Sequence, residues 1–210
     1  MDELETQRLV GVARDEGLVG LFPGSRTREV ERLFPVMLET ARRLRAWQPA
    51  LRFEAPAASS RLGVQMQAMV RQAEAGEYCS VTKGGSHPLM QRACCGVIAS
   101  GTATLEAAYF GLPYCLTYKV AWPTYLAGRL LVKLEHIGLV NILAGEEVVQ
   151  EFIQADAEPG LLAAALRRLL QEPERRAALQ VRLAETAAKL GGPGTHQRAA
   201  AAVAAWLAPA

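Results

Sequence analysis

Apolar positions in this chain alternate between two rhythms. Leu18 to Phe22 form a short continuous run, and then Val30, Leu33, Phe34, Met37, Leu38 and Ala41 recur at helical spacing. The pattern predicts a strand at 18–22 followed by a long helix, with Pro35 marking a kink or a second helix start. The alternation continues. A strand is expected at 51–56, a helix near 59–73, a short strand at 78–82, a buried strand at 95–100, a helix at 104–110 ended by Gly111, and a strand at 114–120. Beyond that the pattern predicts helices at 122–134 and 145–153. Further helices open at Pro159 and Pro173, the second ending at the glycines from Gly191, and a last one covers 196–207. Strands alternating with helices define an α/β fold, a Rossmann-like parallel sheet covered on both faces, with a helical C-terminal part. With no repeat and no low-complexity linker, 1–210 reads as a single domain, with 1–17 as a short lead-in.

Composition narrows the partners. The net charge is only +2, and no Lys/Arg block is interleaved with aromatics, so no nucleic-acid partner is expected. Cys79, Cys94, Cys95 and Cys115 form no C-x-x-C pair and read as small, reduced core residues of a cytoplasmic protein. The acidic opening MDELETQ is not a secretory signal, and no apolar run reaches the roughly 20 residues of a membrane span.

Two strand ends carry unusual chemistry. Pro23-Gly24-Ser25-Arg26 follows the first strand, and Ser100-Gly101-Thr102 follows the fourth. In an open α/β sheet, ligands bind outside the carboxyl ends of the strands. Glycine admits a close backbone approach, amides at a helix start favour phosphate, and Arg26 adds a cation. Taken alone, the first turn is more simply a plain bend capped by Ser25 or Thr27. Glu106 stands in an otherwise apolar helix, four residues after Thr102 and on its face. Either it accepts the two hydroxyls of a ribose, or it sits there because acids suit a helix start. Two such turns and one acid together describe a nucleotide-sugar site.

Absences sharpen that reading. The chain has no P-loop, no G-x-G-x-x-G, no G-x-S-x-G and no D-x-D. His87, His136 and His196 are scattered without metal-ligand spacing and read as surface or capping residues, so neither a metal nor a cofactor is expected.

LFPGSRTREVERLFPVMLETARRL, ASGTATLEAAYFGLP and VNILAGEEVVQEFIQADAEP, in that order, resemble the C-terminal half of lipid-A-disaccharide synthase. The likeness runs from about Leu18 to the helices near 190 and is weakest between 55 and 92. Its third motif is the most specific, because Asn-x-Leu-Ala-Gly has no generic structural reason to recur. The resemblance implies a GT-B C-terminal-type domain that binds a UDP-sugar donor without a chelated metal. It also implies an inverting transfer from UDP-2,3-diacylglucosamine to 2,3-diacylglucosamine 1-phosphate. On this chain Gly24, Ser25 and Arg26 would hold the pyrophosphate, Ser100, Gly101 and Thr102 would support it, and Glu106 would take the ribose. Arg129, Asn141, Glu146 and Gln154 match motif positions near the donor or a domain interface.

The family's acceptor-binding N-terminal domain, which is expected to supply the general base, has only Met1 to Gly17 as its counterpart here. The expectation is therefore a donor-binding half, inactive alone, completed by a homodimer mate or a partner chain. A non-catalytic UDP-sugar-binding or interaction module and a UDP-N-acetylglucosamine 2-epimerase-like fragment are the alternatives. Trp122, Tyr125, Leu126, Arg129, Leu130, Lys133 and Leu134 fall at helical spacing. Packing on the sheet or on another subunit is the simpler account of that stripe, and peripheral contact with the inner membrane is the other.

Overall fold

A computed structural model describes residues 2–120, 135–191 and 194–207. The expected helix at 122–134, its membrane stripe and Arg129 lie outside the described residues. After a short helix α1 (Asp2–Thr6), the chain runs β1 (Asp15–Phe22), α2 (Thr27–Trp47), β2 (Arg52–Ala57), α3 (Ser60–Gln72) and β3 (Cys79–Lys83). It continues with α4 (Ser86–Arg92), β4 (Ala93–Ala99), α5 (Ala103–Tyr109), β5 (Tyr114–Tyr118), α6 (Leu139–Ala144) and β6 (Glu151–Ile153). Three helices follow: α7 (Pro159–Gln171), α8 (Pro173–Ala188) and α9 (Thr195–Leu207). The described strands form one sheet in the order β3-β2-β1-β4-β5-β6, and every pairing is parallel.

Strand alternation sends side chains to two cores. Val19, Leu21, Phe53, Ala55, Cys95 and Val97 pack under α2, α3 and α7. Leu18, Phe22, Ile98, Tyr114 and Leu116 pack under α4, α5, α6 and α8. Arg14 locks the second layer from its edge. Its guanidinium donates to the carbonyls of Met90, Ala93 and Phe110 at 2.7–2.8 Å, ending α4 and α5 on one cation.

Pro35 neither breaks nor restarts α2. The helix runs on for 21 residues, because Pro35 faces solvent and its missing N–H costs one exposed bond. The helix expected at 145–153 is replaced. Leu139–Ala144 forms the helix, Gly145 ends it in the left-handed conformation at φ +80°, and Glu151–Ile153 pairs with β5 as an edge strand. Helix α4, seven residues with Pro88 near its start, was not expected at all.

The crossovers from β1 travel towards β3, and those from β4 travel towards β6. The direction therefore reverses between β1 and β4, which are neighbours at the centre. Phe22 is in register with Ile98, so the turns that follow the two strands emerge side by side.

Candidate functional site in the central crevice

The crevice at that reversal is a cleft of about 440 Å³, within the range of small-molecule sites. Gly24, Ser25, Arg26, Ser100, Gly101, Thr102 and Glu106 all line it, with Phe22 and Met90 supplying apolar surface. The two turns singled out in the sequence thus face one space.

The floor depends on a pair of glycines. Gly20 and Gly96 are in register across β1 and β4. A Cβ at Gly20 would stand 2.5 Å from Cε2 of Phe22, and one at Gly96 would stand 2.8 Å from the Gly20 carbonyl oxygen. The ring of Phe22 therefore sits against bare backbone at both glycines.

In the first turn Gly24 has φ +101°, and a Cβ there would meet Glu29 Oε2 at 2.5 Å. Glu29 needs that space because it caps α2. It accepts the Arg26 amide at 3.3 Å and pairs with the Arg26 guanidinium at 2.9 Å. Neither Ser25 nor Thr27 is the cap; Arg26 occupies that position. Its side chain is 83% exposed, so the pair is a surface contact worth less than about 1 kcal/mol and opens readily to an incoming anion. In the second turn, Thr104 Oγ1 donates to the Gly101 carbonyl at 2.7 Å, and Tyr114 Oη donates to the Thr104 carbonyl at 3.0 Å. This turn is braced from the core side while Thr102 stays exposed.

Glu106 meets a partner that the sequence did not announce. Nε2 of His87, on α4, lies 2.9 Å from Glu106 Oε2, and the pair is partly open to solvent. His87 was read as a surface or capping residue. The fold instead carries it to Glu106, because α4 crosses back from the edge strand β3 and packs against β1, β4 and α5. Gly84 and Ser86 also line the cleft. Their signal was legible: Gly84-Gly85-Ser86 is a third small-residue turn from a strand into a helix, and both glycines have positive φ.

Three positions from the third motif sit elsewhere. Asn141 is fully buried. Its Oδ1 accepts the amides of Val148 and Val149 at 2.9 and 3.0 Å, and its Nδ2 donates to the Val149 carbonyl and to Glu151 Oε1, both at 2.8 Å. Glu151 goes on to accept the amides of Ile137 and Gly138 at 2.9 Å. Gln154 pairs through both ends of its amide with the backbone of Val120, and Glu146 pairs with Arg182 at 3.0 Å. The motif does have a structural reason to recur: it ties α6 to β6 and to the end of β5.

Over residues 1–206 the sequence matches the family described as lipid-A-disaccharide synthetase. The chain belongs to the lipid-A-disaccharide synthase family. The lipid-A-disaccharide synthase of Syntrophus aciditrophicus is 41% identical over 196 residues, covering 93% of this chain and 51% of that protein. That of Trichlorobacter lovleyi is 42% identical over 194 residues, covering 92% and 50%. The chain spans about half the length of these curated relatives.

Among solved structures, Staphylococcus aureus TarM, crystallised as a mutant with Fondaparinux, alpha-GlcNAc-glycerol and UDP, superposes with a TM-score of 0.63 at 12% identity. It covers 87% of this chain and 34% of that one. The S. aureus MnaA–UDP structure gives 0.63 at 11%, over 98% and 51%. The C-terminal CMP-Kdo binding domain of Acinetobacter baumannii WaaA gives 0.57 at 12%, over 88% and 94%. These likenesses establish a GT-B, Rossmann-like fold for this lipid-A-disaccharide synthase family member. No helix among the described residues is long and apolar enough to cross a membrane.

Proposed function

We propose that this chain is the donor-binding half of an inverting glycosyltransferase. That enzyme builds the lipid A disaccharide from UDP-2,3-diacylglucosamine and 2,3-diacylglucosamine 1-phosphate. The observation that carries the reading is the convergence of the two turns and Glu106 on one cleft at the strand reversal. The pyrophosphate lies across Gly24–Arg26 and Ser100–Thr102, facing the amino end of α2, and Arg26 turns from Glu29 to the phosphate oxygens. Glu106 accepts the ribose hydroxyls through its free oxygen.

The reaction follows from that placement. The acceptor's 6-hydroxyl attacks the anomeric carbon from the face opposite UDP. The bond from that carbon to the β-phosphate oxygen breaks, and UDP leaves with the electron pair. Negative charge grows on the β-phosphate, where the α2 amides and Arg26, once released from Glu29, meet it. The hydroxyl proton passes to a base outside this chain. The chain by itself therefore holds UDP and transfers nothing.

Calorimetry tests the binding. The unaltered chain binds UDP, and Glu106→Ala weakens it roughly ten- to a hundredfold, the worth of hydrogen bonds to a charged acceptor. Unchanged binding in that variant removes Glu106 from the ribose. A transfer assay on the chain alone is expected to give no disaccharide, and full turnover there contradicts a donor-only half.

A further inference from the structure

Resting on that reading of the cleft, we infer that His87 is a positioning residue for nucleotide recognition, fixing the Glu106 carboxylate for the ribose diol. The imidazole is held on three sides. Nε2 meets Glu106 Oε2 at 2.9 Å, Nδ1 meets Gln7 Oε1 at 2.6 Å, and the ring stacks on Phe110 with centroids 5.2 Å apart and planes tilted by 43°.

Its neighbours are secured in turn. Gln91 donates to the carbonyls of Gln7 and His87 at 2.9 and 3.1 Å, and it accepts the Leu9 amide at 2.6 Å. Arg8, next along, lies 5.2 Å over the Tyr109 ring on α5. The lead-in segment is therefore fastened to α4 and α5 behind the acid, and the line Gln7–His87–Glu106 runs from that segment to the cleft. A glutamate on a helix has several rotamers, and an isolated one would have to be ordered when the ligand arrives. Here one oxygen is already engaged, and Oε1 accepts nothing from the described residues. The carboxylate is thus set before the nucleotide enters, which lowers the ordering cost of binding. Two chemistries divide the work: the turns hold phosphate, and His87 with Glu106 reads the sugar of the nucleotide.

The discriminating probe is UDP against 2′,3′-dideoxy-UDP, which keeps the base and both phosphates and lacks the diol. His87→Phe retains a ring against Phe110 and removes both nitrogens, and His87→Gln restores an N–H of similar reach. We expect His87→Phe to bind UDP about five- to tenfold more weakly, the worth of one hydrogen bond of about 1 kcal/mol. It should bind dideoxy-UDP as the unaltered chain does, while His87→Gln regains most of the UDP affinity. A His87→Phe protein that binds UDP normally, or that loses affinity equally for both nucleotides, overturns the inference and leaves the cleft's function standing. Failure of the unaltered chain to bind UDP overturns both. Thermal unfolding of each variant identifies misfolding, in which case Gln7→Leu, which leaves the ring in place and releases it from one side, supplies the same comparison.

Discussion

The carboxamide of Asn141 spends both of its ends inside the protein, two backbone amides on Oδ1 and two acceptors on Nδ2. Asn141→Ala strands the Val148 and Val149 amides in the core and is expected to cost about 3 kcal/mol, read as a lower denaturation midpoint. Asn141→Asp has the same shape and should do no better. It keeps the acceptors for the two amides, but it sets a second carboxylate against Glu151 and the Val149 carbonyl. If the aspartate variant is as stable as the original, the bonding assigned to this residue is wrong. At the same scale, part of the cleft was legible. Gly24, Arg26, Ser100, Thr102 and Glu106 each have an ordinary turn or helix-start reading alone, and they were marked by the pairing of two such turns with one acid. His87 was not, because its meaning lies in a contact 19 residues away, and no local spacing encodes that. Asn141 misled because a polar residue in a specific motif looks the same whether its partner is a ligand or buried backbone.

At the scale of elements, the long periodic helices and the apolar strands β1 to β5 read well from the sequence, whereas α4, α6 and β6 did not. Helix α2 puts Val30, Leu33, Phe34, Met37, Leu38, Ala41 and Leu44 on one buried face, so its pattern outweighs one exposed proline. Strand β6 has three residues, too few for any period to show, and its partner β5 decides its conformation. Between β1 and β4 the fit of elements is tightest. Gly96→Ala drives a methyl carbon into the Gly20 carbonyl, and the backbone cannot swing aside as a flexible side chain would. That substitution is expected to cost about 2 kcal/mol or more and to weaken UDP binding as well, since it parts the two strands whose turns form the cleft. Stability and calorimetric measurements on one preparation test the coupling; a destabilised variant with unchanged UDP affinity would separate floor from function.

For the molecule as a whole, the parallel sheet and its two covered faces were legible in the strand–helix alternation. The strand order was not, since which strand neighbours β1 is set by long-range packing. The cysteines report on this architecture. All four are buried free thiols, and burial pushes Cys79 and Cys115 up to about 12. At Cys79 and Cys115 a thiol reagent at neutral pH should therefore react slowly in the native protein and at the free-thiol rate in denaturant, following opening of the whole sheet. The linkage has a definite sign. The folded state keeps these protons where the unfolded chain releases them, so their contribution is fully present below about pH 9, near the ordinary cysteine value. It fades as the pH climbs towards 12. Rapid native-state modification of Cys79 at neutral pH would contradict the buried placement.

The bare backbone beneath Phe22 also implies a trade in volume. Alanine at position 20 would lift the aromatic ring into the central cleft, and leucine in place of Phe22 would hand that space back. Positions 20 and 22 should therefore drift together among kindred proteins, each enlargement of one matched by a reduction of the other.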